Sequence, residues 1–479
     1  MIEKRQFYID GAWTEALDGR DHEVIDPATE EPCAIIALGG QADTDAAVAA
    51  AKRALPGWMA TPAAERIALV EKLLAVYKSR AEELAQAMSL EMGAPIALAR
   101  ANQVGAGLFH LQNFVDAAKA FDFEASFSEA HADTRLIHEA IGVCALITPW
   151  NWPMNQITLK VGAAAIAGCT MVLKPSEESP LSALLFAEFM DEAGFPKGVF
   201  NLVNGDGAGV GTQLSRHADV DMVSFTGSTR AGRAISKTAA ETLKRVHLEL
   251  GGKGANLIFA DADETAVKRG VQHMMQNSGQ SCNAPSRMMV EAPIYDRVVE
   301  EAAAVAQTVK VGVPSEDGKH IGPVVNATQY EKIQGLIETG IKEGARLVAG
   351  GPGRPEGFNK GFYVRPTVFA DVTPEMTIAN EEIFGPVLSI MKFESEAEAV
   401  EIANDTPYGL TNYVQSQDVD RRHRLARQLR SGMVEMNGKS RAPGAPFGGM
   451  KQSGNGREGG ILGIHDFLEI KAVSGWAAE

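Results

Sequence analysis

A chain of 479 residues with 45% hydrophobic side chains can bury a large core and is too long for one ordinary domain, so two or three domains are expected. A formal net charge of −16 excludes the net basic face that binding to nucleic acid or to an anionic membrane would require. The N-terminus, MIEKRQFYIDGAWTEAL, has no apolar signal region, and the longest apolar runs, such as VGAAAIAG, fall far short of a bilayer span, so a cytoplasmic protein is expected.

Residues 43 to 120 carry Ala- and Glu-rich stretches with a 3.6-residue apolar period, DTDAAVAAAKRAL and AAERIALVEKLLAVYKSRAEELAQAM, which read as long helices packed on a sheet. From 141 the pattern alternates. IGVCALITPW is followed by the helical NQITLKVGAAAIAG, then CTMVLKP, then SPLSALLFAEFMDEAG closing on Gly194 and Pro196. The series continues through VFNLV, VDMVSFTGS, VHLEL and ANLIF, which together read as a βαβ series in one doubly wound parallel sheet. After Gly251 a second alternation begins, with helices over 263 to 278, 294 to 309 and 395 to 404 and strands at SRMMV and LSIMKF. No fixed-period repeat or low-complexity linker interrupts the chain, so the domains are expected to share an interface with a cleft between them.

The four cysteines, Cys33, Cys144, Cys169 and Cys282, form no C-x-x-C pair and have no His at metal-ligand spacing. Reduced thiols and no metal site are expected. The Asn326 and Asn404 sequons are discounted as chance matches in a cytosolic chain. A literal G-x-G-x-x-G at Gly454, Gly456 and Gly459 does not follow a predicted strand and is rejected as a dinucleotide loop.

FTGSTRAG, 225 to 232, is a better cofactor candidate, because it ends an apolar strand and opens a helix. Gly227 would let the backbone approach a pyrophosphate while Ser228 and the helix N-terminus supply donors, or the turn is purely structural. In KPSEESP, Lys174 and Glu177 stand at a strand's carboxyl end, where a carboxylate can accept both ribose hydroxyls; the alternative is a solvated charge pair. Such a carboxylate would repel a 2′-phosphate and favour NAD over NADP. Cys282, in GQSCNAPSR, has small polar neighbours that suggest access, yet composition leaves open an inert buried thiol. Glu249 in ELGGK is a general base or part of a capped loop, and Asn151 in TPWNWP is an oxyanion donor or a helix cap.

The ordered set TPWNWP, KPSEESP, FTGST, ELGGK, GQSCNAPSR, EEIFGPV and PFGGMKQSGNGRE resembles the aldehyde dehydrogenase superfamily, nearly end to end from FYIDGAW to FLEIKAV. The resemblance implies an α/β fold with a doubly wound Rossmann-like cofactor domain (1–119 and 141–251), a second α/β catalytic domain (252–451) and a small β oligomerisation arm (120–140, with the tail 452–479). It implies Cys282 as nucleophile, Glu249 as general base and Asn151 as oxyanion donor, with Lys160 and Glu458 either relaying a proton or forming a structural ion pair. Around NAD, with NADP possible, it implies Ile147, Trp150, Lys174, Ser176, Glu177, Gly207, Phe225, Gly227, Ser228 and Leu250, and Glu382 and Phe384 at the nicotinamide ribose.

The expected reaction is oxidation of an aldehyde to the acid through a Cys282 thioester. A CoA-acylating semialdehyde dehydrogenase and a catalytically silent structural or binding member are the alternatives. Ser281, Asn283 and the 440–446 stretch lie where family members vary with substrate, and Arg441 and Lys439 are candidates to meet a carboxylate-bearing semialdehyde. The partners expected are a small-molecule aldehyde and copies of the same chain, as a homodimer or homotetramer.

Overall fold

Val143–Ile147, Thr170–Lys174, Phe200–Leu202 and Met222–Thr226 are buried along their whole length, as strands covered by helices on both faces must be. The structure is a computed structural model and describes residues 1–476. These strands, with Arg245–Glu249, form the parallel centre of an eight-stranded sheet. Its edges are antiparallel: Gly454–Asn455 beside Arg245–Glu249, and the Phe7–Ile9 and Ala12–Thr14 hairpin at the far side. The chain lays down Val143–Ile147, then Thr170–Lys174 and Phe200–Leu202 to one side, and then returns to place Met222–Thr226 on the other. The strand order therefore reverses between Val143–Ile147 and Met222–Thr226, and a crevice opens outside the carboxyl ends of those two strands.

A seven-stranded sheet follows, parallel except for its Arg346–Ala349 edge, with Arg287–Glu291 and Ala255–Ile258 near its middle. Ala255–Ile258 is the ANLIF stretch that the sequence pattern assigns to the first sheet; it pairs instead with Arg287–Glu291 and Thr411–Gln415. The reason is chain length: only residues 250–254 separate it from Arg245–Glu249, far too few for a parallel crossover.

Other expectations are also corrected. The 63–88 helical stretch is two helices, Ala63–Ser79 and Ala81–Met92, broken at Arg80. These helices and Val104–Lys119 stack on the Pro153–Ala167 and Pro180–Glu192 helices, whereas Gln41–Ala60 lies directly on the strands of the eight-stranded sheet. The helix expected over 263 to 278 spans Ala266–Met275 and then breaks, because Asn277 and Ser278 take left-handed backbone with φ of 51° and 56°.

Pro153–Ala167 begins with Pro at its first turn and ends at Gly168 in the left-handed region, the usual N-terminal Pro and C-terminal Gly arrangement. Every residue in it but Asn155 is buried, Lys160 included. Pro180–Glu192 is capped from outside by the buried Glu91 carboxylate, which accepts from the Leu181 and Ser182 amides and from Ser182 Oγ. Burial pushes that carboxyl up to about 8.

Residues 121–140 form the expected hairpin, Glu124–Ser128 with His131–Ala140, and Leu468–Val473 adds antiparallel to it within the same chain. The tail contributes to the first sheet at Gly454–Asn455 before it reaches this arm.

Phe114 is fully buried where Val104–Lys119 crosses Pro153–Ala167, close enough that a Cβ on Gly162 would lie 2.9 Å from its ring. Phe114→Ala is expected to cost about 3–5 kcal/mol and to lower the urea midpoint accordingly. Phe109→Ala on the same helix, 45% exposed, is expected to stay within about 0.5 kcal/mol of wild type in the same titration.

Candidate active site

The crevice at the strand reversal is lined by the two loops that leave it: Pro149, Trp150 and Asn151 after Val143–Ile147, and Thr226, Gly227 and Ser228 after Met222–Thr226. Glu249, Leu250, Gly251, Glu382, Phe384 and Cys282 complete a cavity of about 170 Å³. A second cavity of about 500 Å³ reaches Cys282 from the other side, between Phe109, His110, Trp152, Leu159, Phe447 and Glu458. Cys282 thus stands where two separate spaces meet.

Cys282 follows the 277–278 kink, and its carbonyl lies so close to Gly252 that a Cβ there would approach to 2.4 Å. Glycine is required at that crossing. Burial, with the carboxylates of Glu249, Glu382 and Glu458 nearby, pushes the Cys282 thiol well up, so it rests protonated. Asn151 is held from both ends: its backbone carbonyl accepts from Gln103 Nε2 at 3.1 Å and Asn277 Nδ2 at 2.9 Å, while its side-chain amide donates to the Gln280 carbonyl at 3.0 Å. The amide therefore reaches into the backbone loop that carries Cys282, and it does not cap the following helix. Trp152 Nε1 donates to Ser281 Oγ at 2.8 Å and fixes the residue before the thiol.

Glu249 is buried, and among the described residues neither of its carboxylate oxygens has a hydrogen-bond partner. Burial pushes its carboxyl up to about 7, although His247 beside it opposes the rise. Lys160 Nζ and Glu458 Oε1 meet at 2.6 Å, with side chains 0% and 4% exposed, as a buried ion pair.

The remaining cofactor candidates line up along the strand ends. Ile147 ends Val143–Ile147, and Phe225 precedes the last residue of Met222–Thr226. Lys174 ends its strand and donates to the Pro175 carbonyl at 2.8 Å and to Glu177 at 3.3 Å; Ser176 Oγ accepts from the Glu178 amide. Gly207 opens a short helical turn after Phe200–Leu202, and a Cβ on it would meet nothing within 4 Å. Ser228 Oγ accepts from the Ala231 amide at 3.3 Å and so caps Thr229–Ala239. Glu382 Oε1 accepts from the Gly252 amide at 2.8 Å, and the Phe384 ring meets Trp150 edge-on at 5.5 Å. Phe384 holds φ at 61°, a left-handed conformation that a bulky residue rarely adopts.

Arg441 lines the larger cavity, but its Nε lies 3.6 Å from Glu435 Oε1 and its guanidinium stacks over the Phe447 ring at 4.8 Å. Its charge is already matched. Lys439 is exposed beside Ser440, which lines that cavity, and is not itself among the lining side chains. His110 in the same wall contacts Asn155 Oδ1 at 2.7 Å, and burial lowers its imidazolium to about 4, so it is neutral.

Sequence reasoning missed Thr226, Gln329 and Lys332 in the smaller cavity, His110 and Glu435 in the larger, and His247 behind Glu249. Only His247 carried a signal, since residues two apart on a strand share a face. The rejected G-x-G-x-x-G supplies the edge strand beside Glu249, with Gly454 opposite Glu249 in register.

The chain belongs to the aldehyde dehydrogenase family, matching it over residues 13–473, and is an aldehyde-oxidising enzyme. It is 52% identical to the 3-succinoylsemialdehyde-pyridine dehydrogenase of a Pseudomonas species over 99% of both chains. Among solved structures it resembles an aldehyde dehydrogenase from Bartonella henselae at 57% identity, with a TM-score of 0.98 over 99% of this chain and 100% of that one. Aldehyde dehydrogenase C of Pseudomonas syringae, a cysteine-to-alanine variant crystallised with NAD+ and octanal, is 49% identical with a TM-score of 0.97 over 99% and 97% of the two chains.

Removing one partner of the Lys160–Glu458 pair would leave a buried charge uncompensated. Lys160→Met alone is expected to destabilise by about 3–5 kcal/mol in chemical denaturation, and adding Glu458→Leu is expected to restore most of that loss.

Proposed function

We propose that the enzyme oxidises an extended, uncharged aldehyde to its carboxylic acid with NAD, using Cys282 as nucleophile and Glu249 as general base. The observation that carries this reading is the thiol at the junction of two cavities, one framed by the crevice of a nucleotide-binding sheet and one by aromatic walls. The residues fit NAD. Thr226 Oγ1 is buried at the crevice without a partner among the described residues, Gly207 leaves open space, and Glu177 offers a carboxylate at a strand's carboxyl end. Ile147, Lys174, Ser176, Phe225, Gly227, Ser228 and Leu250 would hold the cofactor's adenosine and diphosphate, and Glu382, Phe384 and Trp150 its nicotinamide end. When bound, NAD supplies the acceptor for the aldehyde hydride.

The Cys282 thiol gives up to solvent the proton that burial keeps on it, and the thiolate adds to the aldehyde carbon. Charge then grows on the former carbonyl oxygen, where the Asn151 amide and the Cys282 N–H can donate to it. After hydride loss the thioester carbon is attacked by water. Glu249 accepts the water proton, the carbon–sulfur bond breaks, the acid leaves and the thiolate returns. The Lys160–Glu458 pair, buried within the electrostatic reach of Glu249, can pass that proton outward or simply hold the local charge.

The matched charge of Arg441 and the aromatic cavity wall favour a neutral tail. Octanal in the Pseudomonas syringae complex and the pyridine-bearing semialdehyde in the Pseudomonas relative's name agree with that. Division into cofactor, catalytic and arm segments at 1–119 and 141–251, 252–451, and 120–140 with 452–479 belongs to the same reading. So does assembly into a dimer or tetramer through the arm, whose edge strands expose Phe127 and Ile470.

Cys282→Ala is expected to abolish NADH formation in stopped-flow absorbance, whereas Glu249→Gln, assayed on the acyl-enzyme route at alkaline pH, gives one NADH per site and then stops. In the wild type, acid release should rise about tenfold per pH unit up to about 7, as the Glu249 carboxyl ionises, and then level off. Steady turnover in Glu249→Gln would remove the base assignment, and acyl-CoA as product on addition of CoA would select the acylating alternative. Octanal is expected to exceed succinic semialdehyde in kcat/KM, with Arg441→Ala changing that ratio less than about threefold. A selective loss of the carboxylated substrate in Arg441→Ala would overturn the neutral-tail reading.

A further inference from the structure

His247 stands two residues before Glu249 on the Arg245–Glu249 strand, so both side chains leave the same face, while Leu248 and Leu250 point to the opposite core around Ile235. Its ring is 3% exposed. Nε2 lies 3.8 Å from Glu249 Oε1, and Nδ1 lies 2.7 Å from Asp466 Oδ2. Neither ring nitrogen makes an in-line hydrogen bond, so these are charge contacts. The other charges near the imidazole are Glu458 and its partner Lys160, while Arg245 donates to the Asp466 carbonyl at 3.0 Å and the Arg457 amide to Asp466 Oδ2 at 2.8 Å. The backbone keeps this space free: a Cβ on Gly456 would come within 2.8 Å of His247 Nδ1, and one on Gly448 within 2.7 Å of Glu249 Oε1.

We propose that His247, held charged by Asp466, is a positioning residue that keeps the Glu249 carboxylate ionised for thioester hydrolysis. The proposal rests on Glu249 being the base. Burial opposes charge on His247, but the Asp466 and Glu249 carboxylates outweigh it and keep the imidazolium protonated beyond its ordinary range. The positive ring then opposes the rise that burial imposes on Glu249. His247 moves no proton in the cycle, and its effect falls on the fraction of Glu249 that is ionised. An imidazolium favours the carboxylate form, so removing it raises the Glu249 pKa, and the acid limb of hydrolysis moves to higher pH.

The test is rapid-quench measurement of acid release from the acyl-enzyme between pH 5.5 and 9.5, using wild type, His247→Asn, Asp466→Asn and Glu249→Gln. In His247→Asn the acid limb is expected to move up by about one unit, so that release at pH 6 falls about tenfold while the alkaline plateau stays within about twofold of wild type. Asp466→Asn, which leaves His247 in place without its counter-charge, should shift the limb in the same direction by less. The NADH burst amplitude should be unchanged in both. Should His247→Asn fail to fold, Asp466→Asn decides alone. Coincident acid limbs, or a fall of equal size at every pH, would overturn the proposal. Normal acid release in Glu249→Gln would sink the base assignment and this inference together, whereas a dead Glu249→Gln with unmoved His247 and Asp466 profiles sinks the inference alone.

Discussion

The close approach of the Gly251–Gly252 crossing to the Cys282 loop is the constraint on which the site depends. The chain leaves the first sheet at Glu249 and enters the second at Ala255, and within those few residues it must pass the Cys282 carbonyl and the Glu382 carboxylate. A Cβ on Gly251 would lie 2.3 Å from Glu382 Oε2, as one on Gly252 would crowd the Cys282 carbonyl. A side chain at Gly252 would push the Cys282 backbone away, and one at Gly251 would displace the Glu382 carboxylate. Because they are absent, Glu249, at the end of a strand of one sheet, and Cys282, on a loop of the other, share a single cavity.

That closeness carries an electrostatic cost, and the surrounding residues manage it. Three buried carboxylates, Glu249, Glu382 and Glu458, influence the thiol, and each is handled differently. Glu458 is neutralised by Lys160, Glu382 is fixed by the Gly252 amide, and Glu249 is left without a hydrogen bond. An unsatisfied buried acceptor costs roughly 1–3 kcal/mol, which is tolerable in a protein of this size when the group has chemistry to perform.

Much of this was legible in the sequence, because strand-end motifs such as TPWNWP, FTGST and ELGGK put their polar residues where parallel sheets open. The pairing of ANLIF departs from its pattern because an apolar run announces a strand but not its neighbour; the five-residue spacing that forbids a parallel crossover decides it. The kink at Asn277 and Ser278 was not legible, since left-handed backbone at non-glycine residues is imposed by packing around Asn151 and Gln280 rather than by local preference. The role of Arg441 was half legible: its place in the wall followed from position, but its neutralisation required Glu435 to fold against it.

The way the C-terminal strand is anchored has a mechanical consequence. Arg245, at the start of the strand that ends in Glu249, donates to the carbonyls of Asp466 and Leu468 and pairs with Glu469, where Leu468–Val473 begins its run along the arm. Fraying of the last strand therefore reaches beyond the periphery: it releases clamps on the strand that ends in Glu249. Three contacts of Arg245 thus tie the arm to the Glu249 strand, so protection of the arm from local opening extends to the strand that frames the crevice.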